Sequence, residues 1–254
     1  MTEPDAPGSS HPAPWVDGRN RVADLALELR HPDAGHEEWL FTSWMPGLGV
    51  ISGYRIVGRV GWYWAAVVRP GEPLIHVTDW AVPLRSDPLL VKGDGLWAEH
   101  TCDAPMEQWT VVNETYATAL NHPADALGRA YGTPTAVAFD IEWYAIAAPQ
   151  PVPPQPSASD RRRPELGIGA AAGGDGEGYS QRGVVHAVIE LAGTPGLRLT
   201  EAPALRWHRW GRHLDPVVLP AAFAHARVRA PFAFPDGTVA DWVLTPGGWR
   251  ARPT

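Results

Sequence analysis

The sequence predicts an all-β fold: two antiparallel β-barrel or sandwich units with one short helix. Three observations carry that reading. Apolar and polar residues alternate with period two over many segments, the period of a half-buried strand. Turn-type residues punctuate these segments, and helix start signals are sparse. The chain also holds 13 tryptophans in 254 residues, a residue type enriched in strands.

The elements follow in order. Leu25, Leu27 and Leu29 alternate with other residues and read as a strand. His31-Pro32-Asp33-Ala34-Gly35 reads as a turn and Glu38 to Trp44 as the returning strand, a hairpin signature. Gly61 to Val68 is a further strand, closed by Arg69-Pro70-Gly71. Trp97 to Cys102 reads as extended up to Pro105, and the pattern resumes from Met106 to Tyr116. The one helical segment is Asn121 to Ala130, with Asn121 as cap and Pro123 in the first turn. Thr135 to Ile146 is the clearest strand: Val137, Phe139, Ile141 and Trp143 share one face, Asp140, Glu142 and Tyr144 the other. Val184 to Leu191 and Leu197 to Trp210 continue the pattern, and Pro235-Asp236-Gly237 marks a turn between Phe232 and Val243.

Residues 148–182 differ. Six prolines, three consecutive arginines and a Gly/Ala run bury little apolar surface, so this reads as a mobile linker. It divides the chain into an N-terminal domain, 18–147, and a smaller C-terminal β domain, 183–251. These are two units or two halves of one sandwich.

The formal net charge is −7, and no basic cluster exceeds Arg161-Arg162-Arg163. Nucleic acid and anionic membrane are therefore not expected partners. No apolar run approaches a membrane span, and the N-terminus lacks the pattern of a signal peptide. A single cysteine fits a reducing compartment. The expectation is a cytoplasmic protein.

Chemistry-bearing residues concentrate in Gly95 to Trp109, which holds two tryptophans, a histidine, several acids and the lone cysteine. As a strand it puts Trp97, Glu99 and Thr101 on one face and Ala98, His100 and Cys102 on the other. One reading is a pocket wall with Glu99 or His100 as proton donor or acceptor; the other is a hairpin whose tryptophans fill a core. His100 beside Cys102 raises a thiol nucleophile, but a lone cysteine more often serves as a small apolar side chain. Asp140 and Glu142, with Tyr144, are a carboxylate pair for protonating an alkene or activating water, or simply a solvent face. Arg206, His208 and Trp210 share a face of their strand. A metal site from His186, His208 and a carboxylate is imaginable, but no close ligand pair with zinc spacing exists. No glycine-rich phosphate loop lies between a strand and a helix, and no Gly-x-Ser-x-Gly occurs. No cofactor or metal is expected.

The run Gly95 to Val111, with Phe139-Asp140-Ile141-Glu142-Trp143, Trp207-His208-Arg209-Trp210-Gly211 and Asn121 to Leu127, resembles actinobacterial calycin-like proteins. At a distance the chain is similar to the carotenoid hydratase (hydroxyneurosporene synthase) group, which has two lipocalin-like β-barrel domains. The likeness spans roughly residues 38–249, in these short patches. It implies an apolar pocket and cofactor-independent cyclisation or hydration of a hydrophobic polyketide or terpenoid intermediate, including Diels–Alder-type cyclisation. A lipocalin-like binder without chemistry is the alternative. The candidate catalytic residues are Glu99, His100, Asp140, Glu142 and His208. The candidate substrate-binding residues are Trp97, Trp109, Trp143, Tyr144 and Trp210. The chain is short for two full barrels.

Overall fold

The computed structural model describes residues 21–128, 132–152, 176–214, 229–245 and 248–252. Helix α1 (Arg21–Glu28) precedes strands β1 (His36–Met45), β2 (Leu48–Val57), β3 (Val60–Val68) and β4 (Leu74–Pro83). Then come β5 (Leu90–Gly93), β6 (Leu96–Ala104), β7 (Gln108–Leu120), a 3₁₀ turn at Pro123–Leu127 and β8 (Thr133–Ala145). The remainder is β9 (Gln150–Pro151), β10 (Glu177–Leu191), β11 (Leu197–Gly211), β12 (Arg229–Ala233), β13 (Val239–Thr245) and β14 (Gly248–Arg252).

Eight strands close into an antiparallel ring in the order β4-β3-β2-β1-β11-β10-β8-β7, with β4 pairing back to β7. The length of β7 allows this. Its residues 118–120 meet 74–76 of β4, whereas 108–115 pair with β6. The ring thus closes at one end of β7 while β6 and β5 branch from the other. Closure removes the edges an open sheet would expose. A separate three-stranded sheet, β12-β13-β14, lies outside the ring.

Alternation places two cores. Inside the ring, Phe139, Ile141 and Trp143 of β8 meet Val111 and Trp109 of β7, Val185 and Ile189 of β10 and Phe41 of β1. Outside it, Leu40, Ile51, Trp62 and Trp64 pack under Phe232, Phe234, Trp242 and Trp249 of the second sheet. Trp249 Nε1 pins that sheet by donating to Ser43 O at 2.9 Å. Strands β1 to β3 are therefore buried on both faces, which explains the unbroken run Trp62 to Val68 in place of alternation. Two glycines admit large rings: a Cβ on Gly53 or Gly183 would fall well inside 3.0 Å of Trp64 or Trp143.

Several expectations are corrected. Leu25, Leu27 and Leu29 belong to or adjoin a helix, not a strand, and all three are exposed. Among the described side chains of α1, residues 25–28, the buried one is Glu28, and its contacts are polar. The helix expected at Asn121 to Ala130 is only the 3₁₀ turn Pro123–Leu127; His122 stands at its N-cap position, with no side-chain cap. Of the expected linker, Gln150–Pro151 and the start of β10 are strand, and 153–175 lie outside the described residues. Strands β10 and β11 sit between β8 and β1 in the ring. Residues on both sides of the expected linker thus share one sheet, while β12 to β14 form the other.

Candidate functional site

At mid-barrel the inward face of β6 carries His100 between rings from three other strands. Phe41 stacks on it at 5.6 Å and Tyr54 at 6.2 Å, while Tyr63 is tilted at 6.4 Å. A run of polar groups crosses this aromatic interior. Asn113 Nδ2 donates to Tyr63 Oη at 2.8 Å. With that donor fixed, the phenol proton points to Ser52 Oγ (3.3 Å) and the serine proton to His100 Nε2 (3.4 Å). The imidazole then carries its own proton on Nδ1. His100 Nδ1 and Asn113 Oδ1 have no hydrogen-bond partner. Burial disfavours the charged ring and lowers its pKa to about 3, so His100 is neutral at physiological pH. Burial likewise pushes the Tyr63 phenol far up, keeping it protonated despite its hydrogen bonds with Ser52 and Asn113.

The barrel end that receives α1 holds a second polar cluster. Arg206 is fully buried. Its guanidinium meets both oxygens of Glu28, at 2.6 and 3.0 Å, and Gln181 Oε1 at 2.6 Å. Trp143, Tyr179 and Trp109 surround it at 4.8, 5.1 and 5.5 Å, a cation–π box. Glu28 also accepts from Tyr179 Oη at 2.6 Å, Met106 N at 2.8 Å and Trp109 Nε1 at 3.4 Å. Burial alone would raise its pKa. The Arg206 charge and these hydrogen bonds outweigh burial and hold the carboxyl below its ordinary value.

Beside it, His208 Nδ1 donates to Leu27 O at 2.9 Å, and its Nε2 lies 2.9 Å from Glu37 Oε1. His31 Nδ1 approaches the same oxygen at 2.9 Å, and Trp210 stacks on His31 at 3.8 Å. Burial lowers the His208 pKa against the opposing pull of Glu37. On the outer face, Glu38 bridges Arg55 and Arg209 beneath the second sheet.

The ring end opposite α1 carries a cleft of about 700 Å³ that lies largely on the outer face of β7, β8 and β10, where Glu114, Tyr116, Ala138 and Glu190 line it. Thr115, Val137 and Leu191 form one inward layer across β7, β8 and β10; Asn113, Phe139 and Ile189 form the next.

The strand alternation read from the sequence places the candidate residues on two surfaces. His100, Trp109, Trp143 and His208 face the barrel interior and are buried, while Trp210 closes over His31 at its end. Trp97 and Glu99 lie half-buried on the outer side of β6. Asp140 and Glu142 are exposed on the outside of β8, where Tyr144 Oη donates to Glu142 Oε2 at 2.9 Å. An interior pocket and this carboxylate pair are thus on opposite sides of the sheet. His186 also faces outward, against Tyr144, so it does not join His208. Burial and the nearby Glu28 charge push the Cys102 thiol up to about 12, which disfavours the thiolate a nucleophile needs.

Sequence reasoning missed Glu28, His31, Glu37, Ser52, Tyr63 and Asn113. One signal existed. Asn113 occupies an inward position in the alternating run Trp109-Val111-Asn113-Thr115, an amide beside apolar Trp109 and Val111 on the same face.

No protein-family model matches the chain, and no curated protein matches it. Among solved structures it is similar to a Nitrosomonas europaea protein described as "putative AttH", at 15% identity and TM-score 0.40. The match covers 94% of this chain and 74% of that one. The large antiparallel barrel is consistent with a lipocalin-like fold, and these comparisons name no family.

Proposed function

We propose that the barrel takes up an apolar small molecule bearing a carbonyl or hydroxyl group and holds that group at His100 and Asn113. The observation that carries this is that His100 Nδ1 and Asn113 Oδ1, buried in an aromatic interior, lack hydrogen-bond partners, as do Trp39 Nε1 and Trp143 Nε1 of the same interior. Leaving such groups unpaired costs about 1–3 kcal/mol each. A ligand carbonyl accepting from Nδ1–H and a hydroxyl donating to Oδ1 would recover that cost.

The same geometry supports cyclisation over hydration as the chemistry of an enzyme built this way. A neutral imidazole N–H polarises a carbonyl, and the ring walls hold a reactive conformer. Protonating an alkene needs an acid facing inward. Glu28 is held ionised by Arg206, and Asp140 and Glu142 face outward. A binder without turnover uses the same contacts and differs only in releasing its ligand unchanged.

Tryptophan fluorescence titrated with apolar polyketides or polyenes bearing a carbonyl tests the reading, with product analysis on the same samples. Saturable quenching is expected for the wild type, at least tenfold weaker for H100F and unchanged for E142Q. Equal affinity of H100F and wild type, with both folded, would refute the assignment. Turnover in the wild type separates cyclase from carrier.

A further inference from the structure

We propose that His31, Glu37 and His208 form a site for a divalent first-row transition ion of the zinc class. Each offers one ligand atom, and the three atoms all lie within 4.8 Å of one another. Glu37 Oε1 is 2.9 Å from each imidazole nitrogen. The side chains of His208 and Glu37 are 0% and 2% exposed and that of His31 is 25% exposed, so the site is buried with one open flank.

Hydrogen-bond counting supplies the second argument. His208 gives its Nδ1 proton to the carbonyl of Leu27. In a neutral ring Nε2 then bears a lone pair, and it faces a carboxylate oxygen, another lone-pair atom. Either a second proton on the ring or a metal ion between the two atoms resolves the conflict. An imidazole whose distal N–H is fixed by a backbone carbonyl is the usual outer-shell arrangement of a metal-bound histidine.

The remaining surroundings orient the other two ligands. The backbone N–H of His31 donates to both Glu37 oxygens at 3.0 Å. Trp210 lies nearly parallel to the His31 ring, 6° between planes. Two imidazoles and one carboxylate suit zinc, cobalt or nickel better than magnesium or calcium. Tetrahedral ligand atoms at zinc bond lengths stand roughly 3.4 Å apart. The 2.9 Å contacts must therefore open by roughly half an ångström, which the partly exposed His31 permits for its own contact, while the His208 contact opens between two buried side chains. A fourth position would then open on the His31 flank, to water or a ligand.

The test uses the full chain without an affinity tag, stripped with chelator. Zn²⁺ is titrated by calorimetry and Co²⁺ by its visible absorption. One equivalent is expected to bind, with cobalt bands typical of a nitrogen- and oxygen-bound ion, and excess Mg²⁺ should not compete. H31A and H31N should each bind at least tenfold more weakly while keeping the wild-type circular dichroism. H31N guards against a packing artefact, because it preserves a polar group beside Glu37. Absence of stoichiometric binding, or wild-type affinity in both folded variants, would overturn the proposal.

Discussion

Replacing Glu28 with glutamine should cost this fold about 3–5 kcal/mol, the range for removing one partner of a buried ion pair. The structure gives the reason. Glu28 accepts five hydrogen bonds, two of them from Arg206. A glutamine amide turns one of its oxygens into a donor facing other donors. At about 1.5–3 kcal/mol for each charged hydrogen bond lost, the loss of two gives a similar figure. Arg206 keeps the remaining amide oxygen, Gln181, Tyr179, Met106 Sδ and the aromatic box, with its charge uncompensated. For a chain of this size about 2–4 °C accompanies each kcal/mol, so melting should fall by roughly 6–20 °C. The assay is thermal and urea unfolding followed by tryptophan fluorescence. The pH dependence has a fixed sign. The folded carboxyl titrates below its ordinary 4.5, so its contribution is fully present above that pH and is lost as pH falls through the folded pKa. The gap between wild type and E28Q should stay constant from pH 6 to 8, as a roughly flat plateau, and close in acid. The double variant E28M/R206M, which removes both charges, should lose less than E28Q alone. A melting point for E28Q within about 2 °C of wild type, below what a loss of even 1 kcal/mol gives, would refute the reasoning.

Two further outcomes follow from packing and charge. Gly183→Ala places a methyl group against the Trp143 ring and should cost about 1–3 kcal/mol by overpacking, measured by urea unfolding. Cys102, with its thiol at about 12, should alkylate at pH 8 about a thousandfold more slowly than a free cysteine. A rate near that of the denatured chain would contradict its placement.

The fold class was legible because strand alternation is a local signal. Val137, Phe139, Ile141 and Trp143 announced the inward face of β8, and the structure buries all four. Alternation states which residues share a face but not whether that face looks into the ring. For β8 the apolar side is inward, and its carboxylates went to solvent. For β1 to β3 the signal vanished, because the second sheet buries the outer face as well. Strand partners were less legible still. Nothing near Leu197 to Gly211 indicates pairing with His36 to Met45, more than 150 residues away in every pair, yet that pairing brings Arg206 beside Phe41 and His208 beside Trp39. The Ser52, Tyr63, His100 and Asn113 cluster draws on four strands. No spacing within one segment encodes it.

Helix α1 shows why the polar groups at that barrel end belong together. Leu27 and Glu28 are consecutive; one lends a carbonyl to His208 and the other a carboxylate to Arg206. Those two recipients are themselves two residues apart, on the inward face of β11. A single helix end thus meets a single strand face. The leucines of and next to the helix remain outside the core: Leu25, Leu27 and Leu29 are 44%, 37% and 56% exposed. An apolar helix would gain about 1.5–3 kcal/mol for each leucine it buried, but non-directional contacts would let it rotate or slide in the barrel mouth. A carboxylate accepting from Arg206, Tyr179, Met106 and Trp109 is satisfied in one position only. In that position the carbonyl of Leu27 reaches His208 Nδ1, and the imidazole turns Nε2 toward Glu37. The buried ion pair therefore fixes the register of the helix, and through it the tautomer of the histidine on which the proposed metal site depends.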